Sequence, residues 1–191
     1  MSLGIGVSVF LCLFSPVAVS QVWQPFLSIS DPQFDISSNF GEEVHIHGDT
    51  LVVSAPSGSG AVHLFARNTG GADQWERFQT ILPEQDQTYG NQNQGAFGDG
   101  LAYNGAILFI GSERGVWNYI RNQDGLFVRF STVESDAAQP PVKSLDLEDS
   151  LLVRAGTSFL GALNGGVAVY RRYSSEWLLV DATAFNVQLA E

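Results

Sequence analysis

Residues 40–82 read as four short strands in succession, and the same reading returns at 97–132 and at 143–182. A unit of about forty residues cannot bury its apolar face alone, so a recurring unit of this size confines the chain to a stack of similar sheets. In the first copy Val44 and Ile46 alternate with Glu43, His45 and His47, the period of a half-buried strand. Gly48-Asp49 breaks that strand with the positive φ of a tight hairpin. Leu51-Val52-Val53 is a short apolar run suited to a strand covered on both sides, and Pro56 stops it. After a Ser/Gly turn at 57–60, residues 61–67 form a third strand, and residues 75–79 a fourth beyond a polar loop. Four antiparallel strands in this order have the size and form of one propeller blade.

The second copy opens on Phe97-Gly98 and carries Asn104-Gly105, itself a strong hairpin signal, between its first two strands. Its third strand is 115–121, and in its fourth Phe127 stands where the first copy has Trp75. The third copy is the most worn. Pro140-Pro141-Val142-Lys143 replaces Phe-Gly, while 144–153, 165–172 and Trp177-Leu178-Leu179-Val180 keep the strands. The alignment of the copies makes Leu51, Ile107 and Leu151 equivalent.

Phe40-Gly41, Gly48-Asp49, Ala55-Pro56 and Gly60-Ala61-Val62-His63-Leu64-Phe65-Ala66-Arg67, followed by Trp75, closely resemble the FG-GAP repeat. That repeat builds the propellers of integrin α-subunit heads and of many secreted proteins. The resemblance implies an all-β fold: a partial β-propeller of three four-stranded antiparallel blades. An extra N-terminal outer strand precedes them at 23–29, with Trp23 matching Trp75. It also implies structural roles for Phe40, Gly41, Phe97 and Gly98. The rings should be buried between neighbouring blades, and the glycines should let backbone pass close to a neighbour.

Residues 1–20 contain no charged side chain, and Ala18-Val19-Ser20 offers small residues where a signal peptidase reads. We expect a signal peptide at 1–20 and a propeller segment at 21–191, secreted or periplasmic; an uncleaved leader would act instead as a membrane anchor. The only cysteine, Cys12, belongs to the leader, so the remainder must stand on core burial without disulfides. A net charge of −11 argues against nucleic acid and against an anionic membrane surface as partners. Twenty glycines and the lack of any helical period fit a turn-rich β protein.

The chemistry is thinner. His45 and His47 share a strand side at a spacing that could hold a metal, with His63 on another strand of the same blade, but a solvated polar face explains the pair more simply. Members of the resembled family often carry Asp-x-Asp-x-Asp-Gly calcium loops. No such run occurs here, and the amide-rich loop at 85–93 has a single acid, so no metal or other cofactor is expected. Neither Ser57-Gly58-Ser59-Gly60 nor Gly156-Thr157-Ser158 makes a nucleophile elbow, and no catalytic residue can be named. The resemblance implies a secreted, non-catalytic binding or adhesion module whose loops near Tyr89 and Ser158 meet a protein or glycan ligand. The alternative is a hydrolase-like or lyase-like enzyme with acids lining the central channel. Three blades are fewer than the four to eight of closed propellers, so the reading expects either a truncated product or self-association through exposed blade edges.

Overall fold

The computed structural model describes residues 28–31, 37–58, 60–83, 96–113, 115–134, 142–156 and 166–184. The first four strands are β1 (Val44–His47), β2 (Thr50–Ala55), β3 (Ala61–Arg67) and β4 (Trp75–Ile81). Next come β5 (Gly100–Tyr103), β6 (Ile107–Ser112), β7 (Gly115–Arg121) and β8 (Phe127–Glu134). The last set is β9 (Val142–Glu148), β10 (Leu151–Gly156), β11 (Gly166–Tyr173) and β12 (Glu176–Ala184). Each set forms one four-stranded antiparallel sheet in sequence order, here called blades 1, 2 and 3. Among the described residues the chain is thus all-β, with the architecture of a partial β-propeller. The leader at 1–20 and the loops at 84–94 and 157–164 lie outside the described residues. So does most of the outer strand expected at 23–29, whose described end, Ser28 and Ile29, is not in a strand. No helix among the described residues is long and apolar enough to cross a membrane.

The hairpins keep one span in all three copies, nine residues from Val44 to Val53, from Leu101 to Ile110 and from Leu145 to Arg154. His47 pairs with Thr50, so Gly48-Asp49 is the expected two-residue hairpin, with Gly48 at φ +57°. In blade 2 Tyr103 pairs with Leu108, and beyond it Asn104 N donates to Ile107 O while Asn104 Oδ1 accepts from the amides of Ala106 and Ile107, closing the turn over Gly105-Ala106. One backbone bond recurs in all three blades: Arg67 N to Asp49 O, Arg121 N to Ala106 O, and Arg172 N to Ser150 O. It makes Thr50, Ile107 and Leu151 equivalent. Placing Leu51 in that row was one residue out: Val44–Val53 and Leu101–Ile110 span the same length, and Gly48 corresponds to Gly105 rather than to Asn104.

Strand alternation gives each blade two sides, and blade 2 is buried on both. Toward blade 1 it turns Leu101, Leu108, Ile110, Trp117, Tyr119 and Phe127, which pack on Val52, Val62, Leu64 and Ile81. Toward blade 3 it turns Ala102, Ile107, Phe109 and Val116, which pack on Val142, Leu145, Leu152, Ala168, Tyr170 and Trp177. The outer-strand aromatics hold equivalent places: Trp75 pairs with Arg67, Phe127 with Arg121 and Trp177 with Arg172. Trp177 meets Phe109 edge to face at 5.0 Å.

Phe97 is 1% exposed between blades 1 and 2, as expected. A Cβ at Gly60 would stand 2.3 Å from its carbonyl oxygen, and one at Gly98 would stand 3.1 Å from Ser54 Cβ. Phe40 departs from the expectation. It is half-buried on the outer side of blade 1, against His63 and Phe65, with no described sheet beyond it. Gly41 approaches nothing within 4 Å, so its φ of +95° is what calls for glycine. In blade 3, where Phe-Gly is lost, Val142 occupies the glycine's place, and the compensating glycine lies across the joint. Gly111, equivalent to Ser54, leaves room for Val142, which would stand 2.7 Å from a Cβ there.

Candidate functional site

β1 overturns the expected division into a buried apolar side and a solvated polar side. Val44 and Ile46 are 54% and 65% exposed, because their side of the strand faces the outer flank of blade 1. The histidine side turns toward blade 2. His47 lies 6.1 Å, edge to face, from Tyr103, and a Cβ on Gly105 would stand 2.6 Å from its ring. Gly105, at φ +96°, is therefore required both by its turn and by His47.

This contact floors a groove of about 590 Å³ between blades 1 and 2, within the usual range for ligand sites. Its walls are the β1–β2 hairpin (His47, Gly48, Asp49, Thr50) and the β5–β6 turn (Tyr103 to Ala106), with Ala66, Arg67 and Arg121 closing the outer side. The two arginines are delivered by the same fold rule, since each ends the third strand of its blade. Their electrostatics differ. Arg67 is paired with Asp73 and stands 3.8 Å from Asp49. The Arg121 Nε donates to Gly125 O, and its guanidinium lies over the Phe127 ring at 5.8 Å. Tyr103 donates from its hydroxyl to Gly105 O. The groove thus presents a ring edge, a turn rich in polar groups, one neutralised guanidinium and one without a carboxylate partner among the described residues.

A second constellation sits at the start of the innermost strands. Glu43 lies 3.8 Å from His45, and Lys143 pairs with Asp99. Burial pushes the Glu43 carboxyl above its ordinary value; His45 opposes that rise, while Glu42 and Asp99 add to it. Among the described residues no group of three or more His, Cys, Asp or Glu is placed to hold a metal ion.

His63 sits apart from both places. It is 1% exposed on the outer side of blade 1, opposite the side that bears His45 and His47. Its Nδ1 is 3.0 Å from Thr80 Oγ1. Burial and nearby Arg77 lower its pKa, and Asp31 partly opposes them. The three histidines are therefore not brought together.

The loops near Tyr89 and Ser158, candidate contact surfaces from sequence, lie outside the described residues. Their anchoring strands end away from the groove: β4 ends at Ile81 opposite the first residues of β3, and β10 ends at Gly156 opposite the first of β11. Sequence reading missed Tyr103, Asn104, Arg67 and Arg121 as groove residues. The available signal was the arginine that ends the third strand of blades 1 and 2, at Arg67 and Arg121, and recurs one residue before the end of β11 at Arg172. Compared with known proteins, the chain matches no family model and no curated sequence.

Proposed function

We propose that the chain is an FG-GAP-type propeller segment and serves as a secreted, non-catalytic binding module for a protein or glycan ligand. The observation that carries this reading is the groove between blades 1 and 2. Aromatic edge, turn polar groups and a guanidinium converge there in a space of ligand size. Aromatic surfaces with a few placed polar groups give the orientation and contact area that recognition needs. The mature chain screened on glycan and protein arrays should return a ligand whose affinity falls about tenfold or more in Arg121→Ala, the loss of one strong contact. A ligand that binds Arg121→Ala as tightly as wild type would move the site off the groove.

The enzymatic alternative has one observation in its favour, the raised pKa of Glu43 beside Asp99 and His45. A carboxyl that keeps its proton longer suits a general acid. Turnover of any glycan on the array, abolished by Glu43→Gln, would replace the binding reading.

A further inference from the structure

Blade 3 has a side that no described element covers. Cross-strand pairing arranges it in rows: Glu148–Leu151–Arg171–Leu178, then Asp146–Val153–Val169–Asp181, then Ser144–Ala155–Val167. Their neighbours Leu152, Ala168 and Tyr170 face blade 2, so these rows face the other way. Leu151, Val153, Ala155, Val167 and Val169 are only half-buried, and Leu178 is 48% exposed. The equivalent residues of the inner blades show what such a side looks like when occupied. Val52, Val62, Leu64, Phe109 and Val116 are all 0% exposed beneath the next sheet.

A head-to-tail partner would have to present the outer side of blade 1, whose centre is already covered and only whose innermost strand, with Val44 at 54% and Ile46 at 65%, stays exposed. Val53, His63 and Phe65 are 3%, 1% and 4% exposed, with Phe40 packed on the two rings. The blade 3 side, by contrast, complements itself. Its first row carries an exposed acid on β9 and an exposed arginine on β11, with Leu151 midway between them. Rotation by a half-turn about an axis along β10 lays β9 of one copy over β11 of the other. Glu148 then meets Arg171 of the second copy, twice, on either side of a Leu151 and Val153 contact. One oxygen of the Asp146 carboxylate accepts from the Leu147 amide at 2.9 Å.

We propose that two copies of this chain dimerise through this side of blade 3 about such a two-fold axis. The contact is isologous and closes at two. Sheets packed in this way stand about 10 Å apart with their side chains interdigitated.

Sedimentation of the full 191-residue chain over a concentration series tests this. A monomer–dimer equilibrium is expected, weakened at least tenfold by Arg171→Glu and by Val169→Glu. The exchanged pair Glu148→Arg with Arg171→Glu should restore the Arg171→Glu loss. Glu148 and Arg171 are both exposed, so the charge variants should keep the wild-type melting transition, which circular dichroism verifies. A chain that stays monomeric overturns the proposal. So does a dimer indifferent to Arg171→Glu, or association that continues past two copies, the mark of head-to-tail packing. Arg171 lies outside the groove, so a failed dimer leaves the ligand reading standing.

Discussion

Blade 2 is joined to its two neighbours by different means. At the joint with blade 1, the Gln79 amide reaches across to the outer strand of blade 2. Its Nε2 donates to Phe127 O at 2.7 Å, and its Oε1 accepts from Phe127 N at 2.8 Å. A side chain here does the work of a ladder rung between sheets. At the joint with blade 3 the equivalent residue is Ser131, too short to reach, and its hydroxyl accepts instead from Asn118 Nδ2 within its own blade. A notch of about 230 Å³ opens there between the outer strands, lined by Ser131, Thr132, Val133 and Trp177 among others. The interiors differ as well. The first joint is filled by Phe97, Tyr103, Trp117, Tyr119 and Phe127, whereas the second includes a fully buried Arg154 facing blade 2. One repeat can therefore make a clamped aromatic joint on one side and a more polar, open one on the other.

The largest expected effect breaks the first joint. Phe97→Ala should cost roughly 3–5 kcal/mol, the usual penalty for deleting a fully buried phenylalanine, read from urea unfolding. The same experiment on Val142→Ala, which removes two methyl groups, should cost only about 1.5 kcal/mol. Equal losses would erase the contrast between the joints.

A smaller effect isolates the clamp. Gln79→Ala leaves the Phe127 N–H and C=O without their partner, at a cost of about 1–3 kcal/mol. Ser131→Gln carries the clamp to the second joint and should stabilise by up to about 1 kcal/mol if its amide finds the β12 backbone across the notch. Amide exchange near Trp177 should slow in that variant, and unchanged exchange would show that the joints are too far apart for the bridge.

The smallest effect lies on the outer side of blade 1. His63 has a lowered pKa, so near pH 6.5 the unfolded chain takes a proton that the native state resists. Its contribution is present above that pH and is lost as pH falls from the ordinary imidazole value toward the lower native one. Melting temperature should decline over that interval, and His63→Gln should flatten the decline. An equal slope in both proteins would assign the effect to other groups.

Much of this was legible in the chain. The third strands of blades 1 and 2 were read at their bounds, because a glycine stands at or just before the start of each (Gly60, Gly115) and an arginine followed by asparagine ends it. The outer-strand aromatics were matched correctly across copies. Alternation in 43–47 shows that two sides differ but not which one meets a neighbour, so the exposure of Val44 and Ile46 had no local signal. The one-residue slip at Leu51 arose because Gly48-Asp49 and Asn104-Gly105 look alike as dipeptides, whereas in the fold it is their glycines that correspond and Asp49 matches Ala106. The groove was invisible for another reason. Tyr103 and Arg67 belong to different repeats, and only stacking brings them to one place.

The exchange of glycine across the joints also fixes the order of the blades. Gly98 faces Ser54 at the first joint, and Val142 faces Gly111 at the second. A chain with blade 2 in tandem would set Gly98 against Gly111 and leave a hole. A chain with blade 3 placed directly after blade 1 would drive Val142 into Ser54. Each blade thus carries an address for its successor, and the repeats, alike in outline, cannot be shuffled.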